Sequence, residues 1–207
     1  MKTLLISCDE EGAIERALQV LAAGGLVAFP TDTVYGLGAD LANPEAVERL
    51  YLSKGRERQK AIAVLIGSRE DLDRVAKDPS QAALRLASHF WPGALTLILA
   101  SQPHLGSSIS PNATVGVRMP DHAVARALLS AFGPLAVTSA NPSGAPNART
   151  AQEVVSTLGG KIDLILDGGR TPGGRPSTVV DCTAAELRIL RKGPIQLVQI
   201  HQVLNAE

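Results

Sequence analysis

Short apolar runs alternate along the chain with stretches in which apolar residues recur every three or four positions, the pattern of strands alternating with helices. Between residues 11 and 23 the positions Ala13, Ile14, Ala17, Leu18 and Leu21 share one helical face, and Gly24-Gly25 stops it. Residues 26–29 then read as a buried strand. Asn43-Pro44 supplies a cap followed by proline at the first helical position, and the helix it opens is expected to end near Gly55. The first turns of three more helices are marked by Ser68 with Asp71, by Asp78 with Pro79 and Gln81, and by Thr150 with Glu153. Further strands are predicted at 61–66, 94–100, 114–117, 135–138, 162–166, 178–182 and 187–190, and Pro194 opens a closing helix. The connection from Cys182 to Leu187 is short enough to make its two strands antiparallel, so the sheet is expected to be mixed. No internal repeat or low-complexity linker divides the chain, which reads as one α/β domain.

Composition narrows this picture. A chain of 207 residues, 45% of them hydrophobic, buries roughly 70% of its unfolded surface and needs no disulfides. Cys8 and Cys182 stand alone, with no C-x-x-C spacing, so neither a zinc site nor a disulfide framework is suggested and a reducing, cytoplasmic setting is expected. Lys+Arg 20 cancels Asp+Glu 20, which argues against a protein that holds nucleic acid by long-range charge. The apolar run before Asp9 is too short for a signal peptide, and no run approaches the ~20 residues of a membrane span.

Familiar catalytic signatures are missing. There is no G-x-x-x-x-G-K-[ST] loop, no G-x-G-x-x-G, no G-x-S-x-G and no H-E-x-x-H, and the four histidines are scattered. Instead, polar segments rich in Gly and Pro follow the apolar runs, where α/β proteins place ligands. Residues 30–38 offer hydroxyls, the Asp32 carboxylate and the Tyr35 phenol, or else a turn whose threonines bond their own backbone. Residues 54–60 carry Lys54, Arg56, Arg58 and Lys60, either a solvated face or a clamp for a polyphosphate. Arg118, ending an apolar run, pairs with a buried acid or meets an anionic ligand such as an amino-acid carboxylate. Residues 138–144 read as a substrate-holding turn or a plain Asn-Pro turn, 168–177 as a mobile flap or a linker, and Arg191-Lys192 as a strand cap or a further anion contact. Many donors and cations without an evident nucleophile or general base suit phosphoryl or nucleotidyl transfer, in which positioning and charge neutralisation dominate.

The segments 30–37, 54–56, Trp91-Pro92-Gly93, 117–120, 139–144, 177–181 and 191–193 occur in an order that resembles the YrdC family, over about residues 10–200. The resemblance implies a mixed, twisted sheet flanked by helices around a basic cleft. It also implies a reaction: L-threonine, bicarbonate and ATP, with Mg2+ carried by ATP, give threonylcarbamoyl-AMP, pyrophosphate and water for tRNA modification. By the same resemblance Lys54 and Arg56 neutralise the ATP phosphates with Lys60 close by. Thr114, Arg149 and Arg191 lie on the nucleotide side, and Ser139 and Asn141 at the junction of phosphate and threonine. Arg118 takes the threonine carboxylate, Thr33 and Ser177 contact the rest of the amino acid, and Tyr35 shapes the pocket. The product is expected to pass to a separate tRNA threonylcarbamoyl-transferase complex, without stable tRNA binding by this chain and without a membrane.

Two departures stand out. Some members have histidine, contacting threonine, where Leu65 stands, and asparagine where Lys60 stands. The chain reaches only Glu207, which implies the short form without the extra C-terminal domain of longer relatives. Two other readings use the same fold: an RNA-binding or ribosome-associated module, and a paralogue acting on another carbamoyl-type adenylate. A total of one Trp, two Tyr and three Phe offers little stacking surface and weakens the first.

Overall fold

The computed structural model describes residues 2–184 and 186–205. Among them ten strands form one mixed sheet: β1 (Leu4–Ser7), β2 (Val27–Phe29), β3 (Gly36–Asp40), β4 (Ala63–Leu65), β5 (Leu95–Ala100), β6 (Thr114–Arg118), β7 (Leu135–Ser139), β8 (Leu164–Asp167), β9 (Thr178–Asp181) and β10 (Arg188–Arg191). Their spatial order is β1-β8-β2-β3-β7-β4-β6-β5-β9-β10. The pairs β1–β8, β2–β8, β4–β6 and β5–β9 run parallel, and the expected antiparallel pairing of β9 with β10 is present. The helices are α1 (Ala13–Ala22), α2 (Pro44–Lys54), α3 (Gln81–Phe90), α4 (Ala123–Phe132), α5 (Ala151–Leu158) and α6 (Leu197–Asn205).

Strand alternation sorts the apolar side chains onto two faces. One face carries Ala28, Leu37, Val64, Leu97, Val117 and Ala136, and packs on the buried residues of α2, α3, α5 and α6. The opposite face carries Val27, Phe29, Leu65, Leu135, Val137 and Leu164, and is covered by Ala17 and Leu21 of α1 with Leu128 and Leu129 of α4. On this second face β3 offers Gly36, Gly38 and Asp40, and no apolar side chain. A Cβ on Gly38 would stand 2.9 Å from the Phe29 ring, so the ring occupies the place of the missing side chain. The second cover does not extend across β6, β5 and β9: Gly116, Arg118, Thr96, Ile98 and Val179 of that face line a cleft.

The helix signals hold where a cap bond forms. Asn43 Oδ1 accepts from Glu45 N and Ala46 N (3.0 and 3.1 Å), and Gly55, at φ 58°, closes α2 in the left-handed region. Thr150 Oγ1 accepts from Glu153 N (3.2 Å), but the Glu153 carboxylate bonds Arg149 N (2.6 Å), one residue ahead of the cap. Other signals were placed differently. Ser68 with Asp71 opens only a 3-10 turn, Glu70–Arg74, and the chain then passes through Val75 into a bridge between Ala76 and Ser101. α3 is capped by Ser80 and not Asp78, whose φ of 43° makes it part of the preceding turn. β1, β3 and α4 carry no sequence expectation at all.

Candidate active site

The uncovered half of the sheet forms the floor of a cleft of about 280 Å³. Ala63, Leu65, Gly116, Ile98, Val137 and Val179 make the floor apolar. The walls are the segment after β2, the end of β7, and the entry to β9. Arg56, Arg118 and Arg191 line it, and no carboxylate does so among the described residues.

At one end β6 delivers Arg118, only 6% exposed. Its Nε donates to Gly93 O (3.0 Å), Nη1 to Thr33 Oγ1 (2.9 Å) and Nη2 to Asp32 Oδ1. Of the two expectations for this arginine, the buried acid is realised, and Asp32 also accepts from Asp121 N (3.1 Å). Five N–H bonds less three partners leave the guanidinium able to donate further. Thr33 and Ser177 line the same end: Thr33 Oγ1 lies 3.0 Å from Thr31 Oγ1, and Ser177 Oγ lies 2.7 Å from Thr96 Oγ1. Arg191 grips Ser177 through its carbonyl and its hydroxyl, both at 3.0 Å. Burial pushes the Arg118 and Arg191 guanidinium pKa values down, and Arg118 adds to the effect on Arg191.

Arg56, beyond the end of α2, lines the cleft while donating to Lys60 O (3.1 Å) and Ala61 O (2.8 Å). Lys54 does not line it. It is 4% exposed, and its Nζ donates to the carbonyls of Ser139 and Asn141. Burial, and secondarily Arg56, lowers its pKa to about 7. Ser139 faces the cleft, whereas the Asn141 amide donates inward to Pro142 O (2.9 Å) and Ala145 O (2.8 Å). Lys60 pairs with Glu57 (3.4 Å), Thr114 opens β6, and neither lines the cleft; nor does Arg149.

The segment 168–176, expected as a flap, is tied at several points. Tyr35 Oη donates to Gly169 O (2.8 Å) and accepts from Gly168 N (3.2 Å), while Thr171 N reaches Arg149 O (2.8 Å) and Gly174 N reaches Thr33 O (2.6 Å). Burial raises the Tyr35 phenol to about 12, which keeps it protonated for this contact.

Over this geometry, the family model described as telomere recombination (Sua5/YciO/YrdC) matches residues 19–193. The chain belongs to the Sua5/YciO/YrdC family. A family protein of Mycobacterium tuberculosis is 40% identical over 94% of this chain and 90% of its own length. The threonylcarbamoyl-AMP synthase of Pyrococcus abyssi is 41% identical over 95% of this chain, which spans 58% of that protein. The structure of P. abyssi Sua5 complexed with L-threonine matches 99% of this chain and 61% of that one, with TM-score 0.94 and 39% identity. Escherichia coli YciO matches 96% of this chain and 98% of its own, with TM-score 0.83 and 25% identity.

Within this Sua5/YciO/YrdC cleft, Leu65 lies on the apolar floor beside Ala63 and Val137. Sequence reasoning overlooked Thr96 and Asn147, which also line it. Thr96 sits inside an apolar strand and Asn147 in a loop without a charge or glycine run, so neither carried a local signal. The carbonyl of Gly93, which fixes Arg118, lies in the quoted Trp91-Pro92-Gly93 segment.

Proposed function

We propose that this protein is a threonylcarbamoyl-AMP synthase, an enzyme that joins L-threonine, bicarbonate and ATP. The observation that supports the reading is a cleft lined by Arg118, Thr33, Ser177 and Arg56 over an apolar floor, in a fold shared with a relative whose structure is a complex with L-threonine. The threonine amine takes up bicarbonate to give a carbamate with loss of water. A carbamate oxygen then forms a bond to the α-phosphorus of ATP, the bond from that phosphorus to the bridging oxygen breaks, and pyrophosphate leaves with the electron pair.

No protein nucleophile is needed in this nucleotidyl transfer. The chain's contribution is alignment and charge: Arg118 and Thr33 orient the threonine carboxylate, Ser177 and the Arg191 that grips it border the same end, Ser139 stands at the junction, and Arg56 neutralises the phosphates. Tyr35 lines the pocket and anchors the 168–176 segment at Gly168 and Gly169. Magnesium enters bound to the ATP phosphates. In this reading the protein works in the cytoplasm, its product is consumed by a separate transferase complex acting on tRNA, and tRNA itself is not a tight ligand.

The test is pyrophosphate release by purified protein given ATP, bicarbonate and each amino acid in turn, with the adenylate identified by mass. Release that requires both threonine and bicarbonate supports the synthase. Silence with threonine, together with tight and salt-sensitive RNA binding, would sink it.

A further inference from the structure

Lys54 and Arg56 are two residues apart and reach different surroundings. Arg56 lines the cleft; Lys54 lies behind it. We propose that Lys54 is a positioning residue of the reaction: it fixes the 139–143 turn from behind and, through that turn, the Ser139 hydroxyl at the reacting groups. This rests on the synthase reading above.

Both ends of Lys54 hold the same turn. Its Nζ donates to the carbonyls of Ser139 and Asn141, and its own carbonyl accepts from Ser143 N at 2.9 Å. Among the described residues no carboxylate pairs with it, so a charge is buried against neutral dipoles alone, a costly arrangement that an apolar side chain of similar length avoids. What the amino group supplies, and an apolar chain does not, is several N–H bonds converging from one atom on neighbouring carbonyls. The ammonium has three, and the neutral amine still has two, one for each carbonyl. The hold therefore survives deprotonation, in keeping with a pKa lowered to about 7.

The turn passes this constraint on. The Ser139 carbonyl belongs to the peptide unit whose N–H, that of Ala140, donates to Tyr35 O at 2.8 Å, and Tyr35 N donates to Ala148 O at 2.9 Å. A donor on the first carbonyl polarises the Ala140 N–H of the same peptide unit, while Tyr35 N, in the unit before its own carbonyl, ties that segment to Ala148 by a separate bond. One amino group thus braces the three backbone segments that carry Ser139, Thr33 to Gly36, and Asn147 into the cleft.

Lys54→Met keeps the length of the side chain and removes its donors. Displacing reacting groups by about 1 Å is worth about 100-fold in rate, so kcat is expected to fall by about that factor with the KM for ATP changed less than about threefold. Ser139→Ala is then made in both backgrounds. If Lys54 acts through Ser139, the double variant is within about threefold of Lys54→Met alone; if Lys54 touches the phosphates itself, the two losses multiply and the proposal is overturned. A readout independent of activity is amide hydrogen exchange, expected to quicken at Ala140 and Ser143 in Lys54→Met and not in Arg56→Ala. Unchanged exchange there overturns the proposal too. Lys54→Leu, which also lacks N–H donors, serves the same comparison should the methionine variant fail to fold. A wild-type protein that makes no threonylcarbamoyl-AMP refutes the synthase reading, while the exchange comparison still decides whether Lys54 holds the turn.

Discussion

Arg118 and Asp32, 86 residues apart in the chain, meet at the edge of the cleft, their side chains alone only 8% and 14% exposed. Among the described residues no other acid pairs with this guanidinium, and the same carboxylate bonds the main chain at Asp121. The pair therefore joins the loop after β2, the end of β6 and the approach to α4.

Asp32→Ala leaves the Arg118 guanidinium buried without its counter-charge. Breaking one side of such a pair costs about 3 kcal/mol, so the urea unfolding midpoint is expected to drop by the corresponding amount. A loss below about 1 kcal/mol would place the pair among weak surface ion pairs.

Arg56→Ala has the opposite profile. Its contacts are two main-chain carbonyls at the border of the cleft, so stability is expected to change by no more than about 1 kcal/mol. In the synthase reading this charge faces the phosphates, so its loss is expected to reduce kcat/KM for ATP by about 100-fold. Steady-state kinetics with a thermal melt of the same sample separates the two effects, and an unfolded variant identifies Arg56 as structural.

Stability depends on pH in two opposed steps. Lys54 titrates near 7 in the fold against an ordinary 10.5, so above neutrality the unfolded chain binds more protons at this site, and stability rises with pH at up to about 1.4 kcal/mol per unit. Cys8 and Cys182, raised by burial to about 11 and about 12 from 9.0, act in reverse: above the ordinary thiol pKa the unfolded chain loses these protons first, and stability falls. Urea titrations across this range are expected to show a maximum on the alkaline side of neutrality. Lys54→Met removes the rise and keeps the fall; a rise that survives in this variant assigns it to another group.

Tyr35→Phe removes the anchor at Gly168 and Gly169 and leaves the ring in place. The expected cost is about 1 kcal/mol, with faster tryptic cleavage after the exposed Arg170. Equal cleavage rates in the two proteins would show that Thr171 and Gly174 hold the segment alone.

How much of this could be read from the chain depends on where the deciding atoms lie. α2 and α5 are legible because Asn43 and Thr150 cap them within a few residues. α4 is not, since His122 makes no cap bond with its side chain. β3 is hidden because Gly36 and Gly38 take their apolar cover from Phe29 and Val137 of neighbouring strands. Arg56, Arg118 and Arg191 were found because each sits at the edge of an apolar run or glycine turn. The inward turn of Lys54 was not, because a cluster of like charges reads as one face, and only the fold shows that α2 ends against the 139–143 turn.

Helices cover the second face of the sheet only in part, and Gly116, Ile98 and Val179 stop short of any apolar partner above them. In the synthase reading the substrates are expected to serve as the absent layer, their carbon and ring surfaces roofing that floor as a helix would. Free and loaded protein differ in how much of the sheet is finished, and melting temperature becomes a direct reporter of occupancy, climbing with the logarithm of ligand concentration.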